Sequence, residues 1–131
     1  HYYIGLSNRT NNLGASQTRA ILNKFGYSSS IIPLKNILHL KTGVAYLENS
    51  VILASGELVK ADEFKNFNII EVDSDESYAA NCIWVNDRVF VPQGFPKTRD
   101  KIIDKGYSVI ELNVSEFRKL DGGLSCLSLR F

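Results

Sequence analysis

Methionine is absent from this 131-residue chain, and tryptophan, cysteine and proline are scarce, at one, two and three residues. Two cysteines, Cys82 and Cys126, are too few to staple a small disulfide scaffold. With no sign of secretion they read as reduced thiols, and a cytoplasmic setting is expected. The two histidines, His1 and His39, do not stand near those cysteines at the spacing of a zinc site, so no metal ligands are assigned. No apolar run approaches the ~20 residues that cross a bilayer, and membrane partners are not expected. Net charge is +1, from 15 basic and 14 acidic residues that are scattered rather than clustered. That pattern excludes a basic groove for nucleic acid. His1-Tyr2-Tyr3-Ile4 has neither the charged start nor the apolar core of a signal peptide. The first residue is not methionine, which leaves processing or truncation open.

A hydrophobic content of 44% and a charged content of 22% are those of one globular domain with a real core. Tyr2 to Leu6 reads as a strand, and Thr10, Asn11 or Asn12 as the cap of a helix running to Phe25, with Leu13, Ala20, Ile21 and Phe25 as its apolar face. Gly26 is the expected left-handed stop, and Ser30 to Leu34 the next strand. Val44 to Leu47 and Val51 to Ala54 form a hairpin around Glu48-Asn49-Ser50. Gly56, a short helix over 59–66 and a strand from Asn68 to Val72 follow.

The order then recurs. Cys82 to Val85 and Val89 to Val91 make a hairpin around Asn86-Asp87. Gly94, a helix opened by Pro96 and stopped by Gly106, and a strand from Ser108 to Leu112 follow. Gly56 maps to Gly94, and Ile69-Ile70-Glu71-Val72 to Val109-Ile110-Glu111-Leu112, an offset of about 40 residues that fits a repeat architecture. A third copy is expected to start at Gly122 and stop inside its hairpin. The first copy opens on a strand and helix with no hairpin before them. Residues 1–131 are thus taken as one partial domain without a linker, cut from a larger ring.

The last expected strand carries a candidate nucleophile. With period 2, Leu127, Leu129 and Phe131 share one face and Cys126, Ser128 and Arg130 the other. Gly122-Gly123 lets the backbone turn and approach a ligand. Against this, an unpaired cysteine is often just a small buried hydrophobe. A catalytic thiol needs a lowered pKa or a nearby base, and His39 is the only internal histidine. Both residues open a repeat, and a ring of repeats gathers equivalent positions around one centre; otherwise His39 is a half-buried strand residue bonded to backbone. Arg9, between a strand and a helix cap, can hold a carboxylate in a fork, or be a solvated loop residue. Asp73, Asp75 and Glu76 read as a solvated acidic loop.

Four segments in order carry a resemblance: Gly5-Leu6-Ser7-Asn8-Arg9-Thr10-Asn11, Leu38-His39-Leu40-Lys41-Thr42-Gly43, Ala79-Ala80-Asn81-Cys82-Ile83-Trp84-Val85-Asn86, and Arg118-Lys119-Leu120-Asp121-Gly122-Gly123-Leu124-Ser125-Cys126. They resemble the dimethylarginine dimethylaminohydrolases, guanidino-group-modifying enzymes of the pentein fold, and the bacterial members most. The resemblance implies an α/β propeller of five ββαβ-like blades, of which this chain would supply about half, from the C-terminal portion. It implies hydrolysis of Nω-methylated arginines to citrulline and a methylamine. Cys126 would be the nucleophile, His39 the acid and base, Arg9 the grip on the substrate carboxylate, and Leu120 a backbone contact near the substrate amine. No cofactor is implied, and zinc would enter only as an inhibitor at Cys126 and His39.

The family's carboxylates that grip the guanidinium would lie before His1. The expectation is therefore a chain with little activity alone, completed by an N-terminal half or by self-association into a homo-oligomer. Two alternatives stay open: a catalytically silent, self-associating module, and a hydrolase of another guanidino substrate such as arginine. Agmatine is disfavoured, because it has no carboxylate for Arg9.

Overall fold

The structure, a computed structural model, describes residues 1–129 and divides into two compact units, His1–Leu40 and Lys41–Phe131. In the first, β1 (Tyr2–Leu6) pairs in parallel with β2 (Ser29–Pro33), from Tyr2 opposite Ser29 to Leu6 opposite Pro33. The crossover between them is α1 (Asn12–Lys24). Asn11 caps it, its side chain accepting the Gly14 N–H at 2.9 Å, and Gly26 ends it at φ 79°, a backbone that favours glycine. Gly5 is needed for space: a Cβ there would lie 2.8 Å from Leu34 Cδ1 and 3.0 Å from Leu40 Cβ.

The expected apolar face of α1 is present but is not buried. Ala15 is its one buried residue, and Leu13, Ile21 and Phe25 are 67%, 55% and 74% exposed. A two-stranded sheet is too narrow to cover a stripe that wide.

The second unit holds two copies of one module. Strands β3 (Val44–Tyr46), β4 (Val51–Ser55) and β5 (Asn68–Val72) form a sheet in that order, antiparallel then parallel. Strands β6 (Ile83–Val85), β7 (Arg88–Pro92) and β8 (Ser108–Leu112) repeat the arrangement. The recurrence expected from the sequence is thus the recurrence of the fold. Asn86 and Asp87 both take positive φ, 50° and 61°, as a two-residue hairpin turn requires. Glu48, Asn49 and Ser50 do the same in the first hairpin. Every residue of the central strand β4 is buried. Its Leu53 joins Leu47, Ile70, Val72, Val89 and Ile102 in one apolar cluster.

The two crossovers differ. In the second copy it is α2 (Pro96–Asp104), opened by proline at its first position. In the first, the helix expected over 59–66 is replaced by two 3₁₀ turns, Gly56–Lys60 and Asp62–Phe64, separated by extended Ala61. Leu58 and Phe64 are the residues these turns bury. Six positions apart, they cannot share one α-helical face.

Two further expectations are corrected. The acidic segment is not a solvated loop, because Ser74–Ala80 is a 3₁₀ helix in which Glu76 is buried. The C-terminal strand does not form over 124–129. A short α3 (Ser115–Arg118) precedes a 3₁₀ turn, Leu124–Cys126. The N–H groups of Cys126 and Leu127 bond back to Gly123 and Leu124, so they are not offered to a ladder, and Leu129 is 90% exposed. Arg130 and Phe131, assigned to that strand, lie outside the described residues. Among the described residues no helix is long and apolar enough to cross a membrane.

Candidate active site

The four candidate residues are divided between the units, with Arg9 and His39 in the first and Leu120 and Cys126 in the second. Arg9 is exposed in the turn between β1 and α1, and His39 is exposed in an irregular segment rather than a strand. One hydroxyl links the backbone of Arg9 to that of Leu38, the residue before His39. Ser7 Oγ accepts the Arg9 N–H at 3.1 Å and donates to the Leu38 carbonyl at 2.7 Å. Ser7 was not singled out from the sequence, where a lone serine in a loop carries no periodic signal.

In the second unit, α3 closes on a left-handed Asp121 (φ 58°), with the Gly122 N–H bonded to the Phe117 carbonyl at 2.9 Å. This is a Schellman-type stop with aspartate in the usual glycine place. Leu120 sits in that stop, 86% exposed. Gly122, Gly123 and the 3₁₀ turn then bring the chain round to Cys126.

Three side chains hold this turn from outside. Tyr78 Oη donates to the Gly122 carbonyl at 2.6 Å, and Arg118 stacks over the Tyr78 and Phe95 rings at 4.7 and 5.2 Å. Asn81, itself buried, accepts the Ser125 N–H at 2.9 Å through Oδ1. The same amide lies flat against Gly123, where an added Cβ would collide with its nitrogen and stand 2.6 Å from its Cγ. Gly123 is therefore fixed by close approach, not by a left-handed backbone.

The two thiols have opposite electrostatics. Cys82 is buried in the apolar cluster, and burial pushes its pKa up to about 12. Cys126 is exposed, and its pKa is lowered, first by a hydrogen bond from the Gly123 backbone and then by the Lys41 ammonium, against partial desolvation. Lys41 and Ser125 also line a cavity of about 230 Å³ with Tyr46, Glu48, Cys82 and Trp84. A thiol held toward its anion on a fixed, accessible turn is what nucleophilic chemistry needs. Among the described residues no group of three or more histidine, cysteine and acidic residues could hold a metal ion.

No protein-family model matches the chain. The architecture is that of the pentein class of α/β folds. An amidinotransferase structure from Microseira wollei, 20% identical, covers 97% of this chain and 43% of its own at a TM-score of 0.84, a likeness of fold alone. Within that class, the chain is homologous along its whole length to the dimethylarginine dimethylaminohydrolases. It is 60% identical to the Pseudomonas aeruginosa enzyme over 131 residues, covering 100% of this chain and 52% of that protein. A Pseudomonas aeruginosa structure, a cysteine-to-serine mutant complexed with citrulline, is 59% identical at a TM-score of 0.95, covering 99% of this chain and 51% of its own. A histidine-to-glycine dimethylarginine dimethylaminohydrolase, in an adduct with S-methyl-L-thiocitrulline, gives the same identity and TM-score, covering 99% and 52%. The chain spans about half the length of the relatives it matches.

Proposed function

We propose that this chain carries the nucleophile-bearing part of a hydrolase of Nω-methylated arginines. Cys126 supports the reading best: an exposed thiol with a lowered pKa, in a chain 60% identical throughout to a dimethylarginine dimethylaminohydrolase. The histidine and the cysteine substituted in the two relatives' structures are separated by the same number of residues as His39 and Cys126. The assignment of roles rests on that correspondence.

A guanidinium is a weak electrophile because its charge is delocalised, so the reaction calls for a strong nucleophile. The Cys126 thiolate forms a C–S bond to the guanidinium carbon. The C–N bond to the methylated nitrogen breaks, and that amine leaves with a proton from His39. A covalent S-alkylthiouronium remains. His39, now neutral, takes a proton from water, whose oxygen bonds the same carbon. The C–S bond breaks, returning the thiolate and releasing citrulline, while the second proton of that water passes to solvent and is matched by protonation of the released amine. Arg9 holds the substrate α-carboxylate in a bidentate fork, and the Leu120 carbonyl faces the substrate's amine end. Carboxylates that balance the guanidinium charge are assigned to the part of the relatives that this chain does not span, because a buried guanidinium without an anion is costly.

The test is citrulline release from Nω,Nω-dimethylarginine and from arginine by the protein in the length in which it occurs naturally. Cys126→Ser is expected to lose at least a thousandfold in kcat, as loss of a covalent nucleophile does, and mass spectrometry of quenched wild-type protein to show the adduct. Citrulline production unchanged in Cys126→Ser would end the proposal, and a preference for arginine would reassign the substrate.

A further inference from the structure

We infer that Asn81 is the positioning residue of the nucleophile turn: its buried carboxamide fixes Gly123 and Ser125 on one side, and so sets where the Cys126 sulfur stands. This rests on the reading of Cys126 as nucleophile.

The carboxamide holds the turn at two points. Oδ1 takes the Ser125 N–H at 2.9 Å, one residue before Cys126. The rest of the group packs on Gly123 too closely to admit a Cβ there. Gly123 is in turn the residue whose carbonyl accepts the Cys126 N–H at 2.9 Å, and whose backbone hydrogen-bonds the sulfur. A shift of the amide would therefore move both the start of the turn and the group that supports the thiolate.

Asn81 is itself anchored. It ends the 3₁₀ helix Ser74–Ala80, with its N–H bonded to the Tyr78 carbonyl at 3.2 Å. Its neighbours Ala79, Ala80 and Cys82 are buried in the core. The amide is thus mounted between buried core residues and faces an irregular turn. A buried polar side chain in such a place is retained when its bonds are specific. Tyr78, from the same helix, adds a second clamp at Gly122, so the 3₁₀ helix serves as the bed of the turn.

Misplacing a reacting atom by about 1 Å can cost on the order of a hundredfold in rate. Asn81→Ala is therefore expected to lower kcat by ten- to a hundredfold with KM changed less than threefold. It is also expected to slow iodoacetamide alkylation of Cys126 in the isolated chain and to move its pH–rate profile to the alkaline side. Asn81→Asp keeps the volume and the acceptor for Ser125, so it is expected to stay folded. Its carboxylate beside the turn should move the alkylation profile further alkaline than alanine does, a response that a purely scaffolding role would not give. The inference is overturned if both variants, folded by circular dichroism, keep the wild-type alkylation profile, or if Asn81→Ala keeps the wild-type kcat. Alkylation reads the turn without turnover, so an inactive wild-type protein of natural length would count against the proposed function and leave this result standing on its own.

Discussion

Replacing Glu76 should cost more stability than any surface charge in the chain. Helix α2 begins Phe95-Pro96-Lys97-Thr98, and Phe95 at the cap position has no side-chain acceptor. Pro96 has no N–H, so the first free donors are those of Lys97 and Thr98. Glu76, 21 and 22 positions away, takes both, at 3.1 and 2.7 Å, and the Thr98 hydroxyl at 2.7 Å as well. Thr98 is only 1% exposed, so water cannot replace the carboxylate. Glu76→Ala leaves two buried donors on Thr98, at about 1–3 kcal/mol each, and removes an anion from a helix N-terminus, about 0.5–1 kcal/mol. Relief from burying a charge offsets part of this, leaving a net loss of about 3 kcal/mol. At a urea m-value of about 2 kcal/mol/M, the midpoint should fall by about 1.5 M at unchanged slope. Trp84, packed against the apolar cluster, reports the transition by fluorescence. Glu76→Gln, which keeps one acceptor oxygen, should lose about half as much. A loss below about 1 kcal/mol for Glu76→Ala would show that the helix start finds other partners, and would refute the argument.

Two further outcomes follow from the thiols. Ellman's reagent at neutral pH should label one thiol per folded chain, Cys126, and a second only on denaturation, because Cys82 is buried with its pKa at about 12; two fast thiols would contradict the fold around Cys82. Lys41 favours the thiolate of Cys126, so Lys41→Met should raise that pKa and shift the pH–rate profile of alkylation to the alkaline side, while Lys41→Arg should keep it near wild type.

The parts of the fold that were legible are those written in local chemistry. Asn11 and Gly26 bracket α1 because a short amide can cap and a glycine can turn left-handed. Pro96 opens α2, and Asn86-Asp87 closes a hairpin, for equally local reasons. The errors share another cause. Asp73, Asp75 and Glu76 look alike in sequence, yet Asp73 pairs with half-buried Lys101 and Asp75 with exposed Lys97 while Glu76 turns inward to a helix 20 residues on. The one available signal was Phe95, a cap position unable to cap. The final strand was read from alternation in Leu127, Leu129 and Phe131, but a period of two over five residues is weak where glycines allow a local turn to capture the backbone donors. Cys126 was a candidate on sequence alone, whereas the contacts of Ser7 with Leu38 and of Asn81 with Ser125 were not foreseen, since those partners lie 31 and 44 residues away.

Those two residues also show how the chemistry is partitioned. In each unit one short polar side chain fixes the backbone of a candidate reacting segment: Ser7 ties Arg9 to Leu38, and Asn81 ties Ser125 and Gly123. Each segment is therefore ordered by contacts inside its own unit, before any substrate is bound. Preorganisation of this kind removes entropy that would otherwise be lost in the transition state. It also separates two properties that activity alone would merge. The reactivity of Cys126 depends on Gly123, Lys41 and Asn81, all within the second unit, and should persist in the 131-residue chain. On the function proposed above, turnover would also call for Arg9, His39 and an anion for the guanidinium. A chain with a reactive thiol and no turnover would therefore be an intact nucleophile awaiting the rest of its site.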